Sequence, residues 1–217
     1  MPSLSGVTPQ DIQRLRDIMQ NICFEYGDFS LSSGLQSKYY YDGKRITLRP
    51  RWARLIGRIL ADLVVEAQAD AVGGMAIGSD PIAQAVSLSI MELANEEVPV
   101  FIVRPTRKEH GTKDQIAEAF SDEGGRTLVA GRKVALVDDV ITTGGSIDKA
   151  IAAVETLGCR VSLVVALVER HEGGGQVLKE RGYHFRRLFY TDEEGKLLID
   201  DSVLERYREA PPERILR

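Results

Sequence analysis

Two adjacent carboxylates followed by a run of hydroxyls and glycines carry the first chemical signal: Asp138-Asp139-Val140-Ile141-Thr142-Thr143-Gly144-Gly145-Ser146. Glycine lets a backbone approach a ligand closely, and a helical pattern with Ile147, Ile151 and Val154 on one face begins directly afterwards. A helix N-terminus presents unpaired N–H groups and partial positive charge, so the turn is an anion cradle whose natural guest is a phosphate. Two carboxylates would repel a bare phosphate unless they hold hydroxyl groups or a metal. A ribose phosphate therefore fits better. The run is neither a Walker A loop nor Gly-x-Gly-x-x-Gly. An ordinary strand-to-helix turn of an α/β protein is the plain alternative.

Upstream, the segment from Arg104 to Gly111 gathers Arg104, Arg107, Lys108 and His110 at the head of a polar run reaching about Arg132. A connection this long inside a compact domain is usually a functional lid or disordered. Its cations suit a lid that neutralises a polyanion such as pyrophosphate and excludes water when closed. A solvated charged loop is the alternative, and the neighbouring phosphate cradle weighs against it. Downstream, Leu167-Val168-Glu169-Arg170 ends an apolar run on a guanidinium. That group can grip a planar carboxylate bidentately, or form a structural ion pair with Glu169 or Glu172.

The elements that must position these groups follow from periodicity. Val134 to Val137 reads as a short buried strand ending on the acidic pair, where the turning chain lets both carboxylates reach one pocket. Asp70 to Gly74, Val98 to Val103, Val161 to Val168 and Phe185 to Tyr190 read as further strands. Helices are expected after Thr8-Pro9-Gln10-Asp11, a capped start, and from Pro50 with Trp52, Leu55, Ile56, Ile59, Leu60 and Leu63 on one stripe. Others follow Gly78-Ser79-Asp80-Pro81 and the phosphate turn, with a short one around Val177 to Arg181 and a last one around Val203, Leu204 and Tyr207. Phe29 to Leu31 and Lys38 to Asp42 suggest two strands joined through Ser32-Ser33-Gly34. Strand alternating with helix implies a parallel sheet with right-handed crossovers, whose ligands sit beyond the carboxyl ends of the strands. Gly78-Ser79-Asp80, Arg104, the acidic pair and Arg170 all fall at such ends, which is the reason to treat them as one site.

With 217 residues, one large domain is expected. Net charge of −4 argues against broad nucleic-acid binding. Cys23 and Cys159 have no metal-ligand spacing and read as free thiols of a cytoplasmic protein. No stretch has the roughly 20 apolar residues that span a bilayer, and no basic start with an apolar run marks a signal peptide.

The hydrophobic run, acidic pair and Thr142-Thr143-Gly144-Gly145 segment closely resemble the loop by which the type I phosphoribosyltransferases bind phosphoribosyl pyrophosphate (PRPP). Arg104 with Lys108, His110 and Gly111 resembles the mobile catalytic loop of the orotate phosphoribosyltransferase family. Phe29 to Asp42 and Leu167 to Gly174 resemble that family's N-terminal and carboxylate-binding segments. The resemblance runs in the family's order from about residue 24 to 190.

It implies an α/β type I phosphoribosyltransferase fold: a central parallel sheet flanked by helices, a small N-terminal hood over residues 1–48 and a mobile loop over about 104–132. It implies that Arg104, Lys108, His110, Asp138, Asp139 and the loop from Val140 through Ile141, Thr142, Thr143, Gly144 and Gly145 to Ser146 bind PRPP. Lys108 and the two aspartates carry the catalysis, and Tyr40, Tyr41, Thr142 and Arg170 hold orotate. Mg²⁺ is the implied cofactor, held mainly by PRPP and water rather than by protein ligands. A homodimer with the loop acting across its interface is implied, with no nucleic-acid or membrane partner. A phosphoribosyltransferase for another base, and a PRPP-binding regulator or inactive paralogue, are the alternative readings. The chain departs from the family pattern at Pro105, Ser32 and Asp80, where members carry lysine, and at Ile116-Ala117-Glu118, where they carry Ile-Glu-Gly.

Overall fold

A computed structural model describes residues 6–30, 36–106 and 115–208. Helix α1, Pro9–Ile22, opens with the expected reciprocal cap. The Thr8 side chain accepts from the Asp11 amide at 3.2 Å, and the Asp11 carboxylate accepts from the Thr8 amide at 3.1 Å. Strands β1, Phe24–Ser30, and β2, Gln36–Tyr41, pair antiparallel as a separate two-stranded sheet. β1 starts five residues earlier than its composition suggests, because Phe24 packs inward against Tyr39 and Tyr41. A short helix α2, Lys44–Thr47, leads into α3, Pro50–Glu66, whose apolar stripe is buried as its period requires.

The main sheet follows: β3, Ala71–Met75; helix α4, Asp80–Ala94; β4, Val100–Val103; β5, Ile116–Glu118; β6, Lys133–Ile141; helix α5, Gly145–Thr156; and β7, Arg160–Glu169. Helix α6, Gly174–Glu180, β8, Phe185–Thr191, β9, Leu197–Ile199, and helix α7, Asp201–Arg208, complete it. The strand order is β5-β4-β3-β6-β7-β8-β9. In that order the five strands from β4 to β8 run parallel, and the short edge strands β5 and β9 are antiparallel. One apolar layer joins the sheet to α1, α3, α4 and the hood, and a second joins it to α5 and α6.

Further features differ from expectation. The polar run from Arg104 to Arg132 is not all loop: Ile116–Glu118 forms β5 on the edge of β4, and Glu118 accepts from the Leu128 amide at 2.7 Å. The strand carrying the acidic pair does not stop at Val137. It runs to Ile141, because β7 offers pairing partners as far as Glu169. The Ser79 side chain does not cap α4; its hydroxyl donates to the Met75 carbonyl at 2.8 Å.

Candidate active site

The acidic pair takes the sixth and seventh of the nine positions of β6, and the pleat changes phase there. Ala135 and Val137 pack in the layer under α3, as does Val140, while Leu136 and Ile141 pack in the layer under α5. The step from Val137 to Val140 thus breaks strict alternation at Asp138–Asp139. Both carboxyls are nearly buried, at 6% and 7% exposure. Asp138 Oδ1 accepts from the Asp139 amide at 3.0 Å. Burial, reinforced by the charge of Asp139, pushes Asp138 well above the usual carboxylate range. Burial also raises Asp139, and the Lys44 ammonium opposes that rise.

Two backbone segments close on Asp139. A Cβ on Gly43 would stand 2.8 Å from Asp139 Oδ2, and one on Gly78 would stand 2.4 Å from Oδ1. Only glycine fits at either place while the carboxylate keeps this position. Local sequence pattern marks Gly78 as a turn but singles out neither Gly43 nor Lys44, whose neighbourhood to Asp139 arises only when the hood folds over the sheet.

Beyond Ile141 the chain turns through Thr142, half-buried, and Thr143, Gly145 and Ser146, all exposed. Gly144 adopts φ +93° to start α5, a left-handed conformation that disfavours other residues. The first amides of α5 have no intrahelical partner, so the loop presents N–H groups to solvent as an anion site. Its far wall is pinned by the Gly174 amide, which donates to the Thr142 carbonyl at 2.9 Å.

Arg170 follows β7 directly beside this loop, its amide donating to the Ile141 carbonyl at 2.9 Å. Its guanidinium is buried, lies 4.2 Å over the Tyr39 ring, donates to Ser37 Oγ at 2.9 Å and pairs with Glu172 at 3.0 Å. The ion pair weighed as the plain alternative therefore exists, and it is made with Glu172. Glu169 is occupied elsewhere, accepting from the Gly175 amide at 2.9 Å and from Arg187 at 2.5 Å. Two polar atoms in the Arg170–Glu172 pair, Arg170 Nε and Glu172 Oε2, are buried without a hydrogen-bond partner. The Tyr39 hydroxyl contacts Thr191 Oγ1 at 2.8 Å and His171 Nδ1 at 3.2 Å, tying the hood to the sheet.

Of the sequence-derived site residues, Asp138, Asp139, the Val140–Ser146 loop and Arg170 come together at one sheet edge. Arg104 lies at the end of β4, half-buried, with its amide donating to the Gln115 carbonyl at 2.8 Å. Arg107, Lys108 and His110 lie outside the described residues. Tyr41 is buried beside Asp139, whereas Tyr40 is 40% exposed and packs against Phe29 at 5.7 Å. The aromatic ring beside Arg170 is that of Tyr39, which no sequence signal singled out. The run of three tyrosines held a clue, but the strand's facing was needed to choose among them.

A glycine- and hydroxyl-rich turn next to a carboxylate pair, at the carboxyl edge of a parallel sheet, is an arrangement suited to a ribose phosphate. The family model described as phosphoribosyl transferase domain matches residues 42–187. The chain is 38% identical over 177 residues to an orotate phosphoribosyltransferase of Nostoc sp., covering 82% of each. It is 41% identical over 166 residues to one of Aquifex aeolicus, covering 76% of this chain and 85% of that protein. A solved orotate phosphoribosyltransferase of Mycobacterium tuberculosis in complex with PRPP superposes with a TM-score of 0.63 at 29% identity, covering 82% of this chain and 94% of that one. The chain belongs to the orotate phosphoribosyltransferase family.

Proposed function

We propose that the protein transfers the phosphoribosyl group of PRPP to orotate, giving orotidine 5′-monophosphate and pyrophosphate in the synthesis of pyrimidine nucleotides. The observation that supports this best is the adjacency of three unlike groups: the Thr142–Ser146 loop, the Asp138–Asp139 pair and the buried guanidinium of Arg170. The loop suits the 5′-phosphate, the acids suit the ribose hydroxyls, and the guanidinium suits the orotate carboxylate.

In this reading C1 of the ribose becomes cationic as pyrophosphate leaves. Orotate already carries an anionic nitrogen nucleophile, so positioning and charge stabilisation supply the rate. Asp138 and Asp139 hold the diol and favour the positive sugar. Lys108, with Arg104 and His110, meets the negative charge growing on pyrophosphate. Val140 and Ile141 carry the chain from the acids into the phosphate loop, and Thr142 borders the base. Of the two tyrosines the family places at the base, Tyr40 keeps the more open ring, and Tyr41 supports the site from within.

Among the described residues no group of three or more His, Cys, Asp and Glu side chains could hold a metal ion. An Mg²⁺ ion would be held mainly by PRPP oxygens and water, as this hard ion prefers, leaving Asp138 and Asp139 to the ribose hydroxyls. Such an ion, when bound, neutralises the pyrophosphate charge. Among the described residues no helix is long and apolar enough to cross a membrane. Burial pushes the Cys23 thiol up to about 12, and both cysteines are buried and free; the reading places the protein in the cytoplasm. A homodimer with the loop of Arg104, Lys108 and His110 reaching the partner's site completes the proposal.

Mixing purified protein with PRPP, Mg²⁺ and orotate should deplete orotate's ultraviolet absorbance, while adenine, hypoxanthine and uracil should not be consumed. Turnover of one of those bases in preference to orotate would replace the substrate assignment, and no turnover with any base would remove the enzymatic one.

A further inference from the structure

The hood meets Asp139 through a hydroxyl that the folded chain leaves unused. Tyr41 ends β2 with its ring packed edge-on against Phe24 at 5.1 Å. Its hydroxyl is buried and has no hydrogen-bond partner. Buried polar groups are nearly always satisfied, so an orphaned hydroxyl beside a binding site points to a partner that arrives with the ligand. The place a Cβ on Gly43 would take is 3.0 Å from the Tyr41 hydroxyl and 2.8 Å from Asp139 Oδ2. Hydroxyl and carboxylate therefore bracket one point. They lie against the same side of Gly43, near enough for a small side-chain movement to join them directly. Lys44, one residue on, pairs with Asp42 at 2.7 Å and is the principal cation acting on Asp139.

We propose that Tyr41 is a positioning residue of the ribose site: its hydroxyl, backed by the Lys44 ammonium, orients the Asp139 carboxylate toward the sugar diol. The proposal rests on the phosphoribosyl-transfer reading and sharpens it, since it assigns Tyr41 to the sugar and not to the base. A ring that flanked the pyrimidine would need an open face. The Tyr41 ring instead lies in the core at 5% exposure, with Phe24 against it. The sheet's parallel layer brings Asp139 to the seam, and the turn from Tyr41 to Lys44 closes over it, so the diol's carboxylate is held jointly by hood and sheet.

Tyr41→Phe removes the hydroxyl and keeps the ring. Titration calorimetry with PRPP and Mg²⁺ and no orotate should show affinity weakened about tenfold, the equivalent of one good hydrogen bond. In steady state KM for PRPP should rise comparably while KM for orotate stays within about twofold, a split that a general structural defect would not produce. The melting temperature should not fall, because the deleted hydroxyl has no partner in the ligand-free chain. Unchanged PRPP affinity, or a rise confined to KM for orotate, would overturn the proposal. If Tyr41→Phe does not fold, Lys44→Gln should weaken PRPP binding and Lys44→Arg should restore it, and equal affinity in both would likewise overturn it. A wild-type chain that binds PRPP without turning over orotate would defeat the transfer reading, while the calorimetric comparison would still judge Tyr41.

Discussion

At Asp138 the fold carries a buried carboxyl at a cost in stability, because a carboxyl whose folded-state pKa is raised binds protons more readily folded than unfolded. Stability then falls as pH rises through the folded value. Burial and the charge of Asp139 raise Asp138, so its cost is absent below the ordinary 3.8 and grows as pH rises above it. Asp138→Asn should therefore melt higher than the parent near neutral pH by about 2–4 °C, roughly 1 kcal/mol for a chain of this size. That gap should close as pH falls toward the ordinary carboxylate range, and PRPP turnover should be lost. A melting series across pH checks the sign. Arg170 obeys the opposite logic, because its charge is already matched. Arg170→Ala leaves the largely buried Glu172 carboxylate without its cation and should cost about 3–5 kcal/mol in a urea titration. Arg170→Lys keeps a charge but loses the planar fork, and should raise KM for orotate about 10- to 100-fold with KM for PRPP little changed. At this scale the sequence singled out the acids, the Thr142–Ser146 turn and Arg170, which the fold brings to one sheet edge, since each is a residue type matched to one chemistry. Lys44, Gly43 and Tyr39 escaped notice because their relevance comes from contacts across roughly a hundred residues of chain or more.

Elements were legible where period and cap agreed. Helix α1 bears its cap at Thr8 and Asp11, and α3 its stripe from Trp52 to Leu63. Strand ends were not, because pairing decides them: β6 reaches Ile141 through partners on β7 that no local pattern announces. β5 and β9 were missed for the same reason, being three residues each and built on the edges of strands already present. Close packing of elements brings its own test. Helix α3 approaches α4 so nearly at Gly57 that a Cβ there would stand 2.4 Å from the Ala85 carbonyl oxygen. Gly57→Ala must push the two helix backbones apart despite its better helix propensity. It should lower stability in a urea titration by about 1–3 kcal/mol with an unchanged slope.

For the whole molecule, the parallel order β4-β3-β6-β7-β8 brings the acidic pair, the phosphate loop and Arg170 to one edge and sets the hood above it. The alternation of strand and helix already implied that arrangement, whereas association between chains leaves no such periodic trace. The proposed dimer with a loop acting in trans makes a sharp prediction. Lys108→Ala and Asp139→Asn chains, each nearly inactive alone, should regain activity when mixed and allowed to exchange. Random pairing would restore up to about one quarter of the sites, since each mixed dimer holds one intact site. No recovery after proven exchange would place the loop over its own chain's site.

Where the sugar phosphate settles decides the matter, and a crystal soaked with PRPP and Mg²⁺ reads that directly. The 5′-phosphate should lie on the amides of Thr143 to Ser146, with the ribose diol against Asp138 and Asp139. An empty turn, or a diol held elsewhere while the acids stay closed in the seam between hood and sheet, would contradict it.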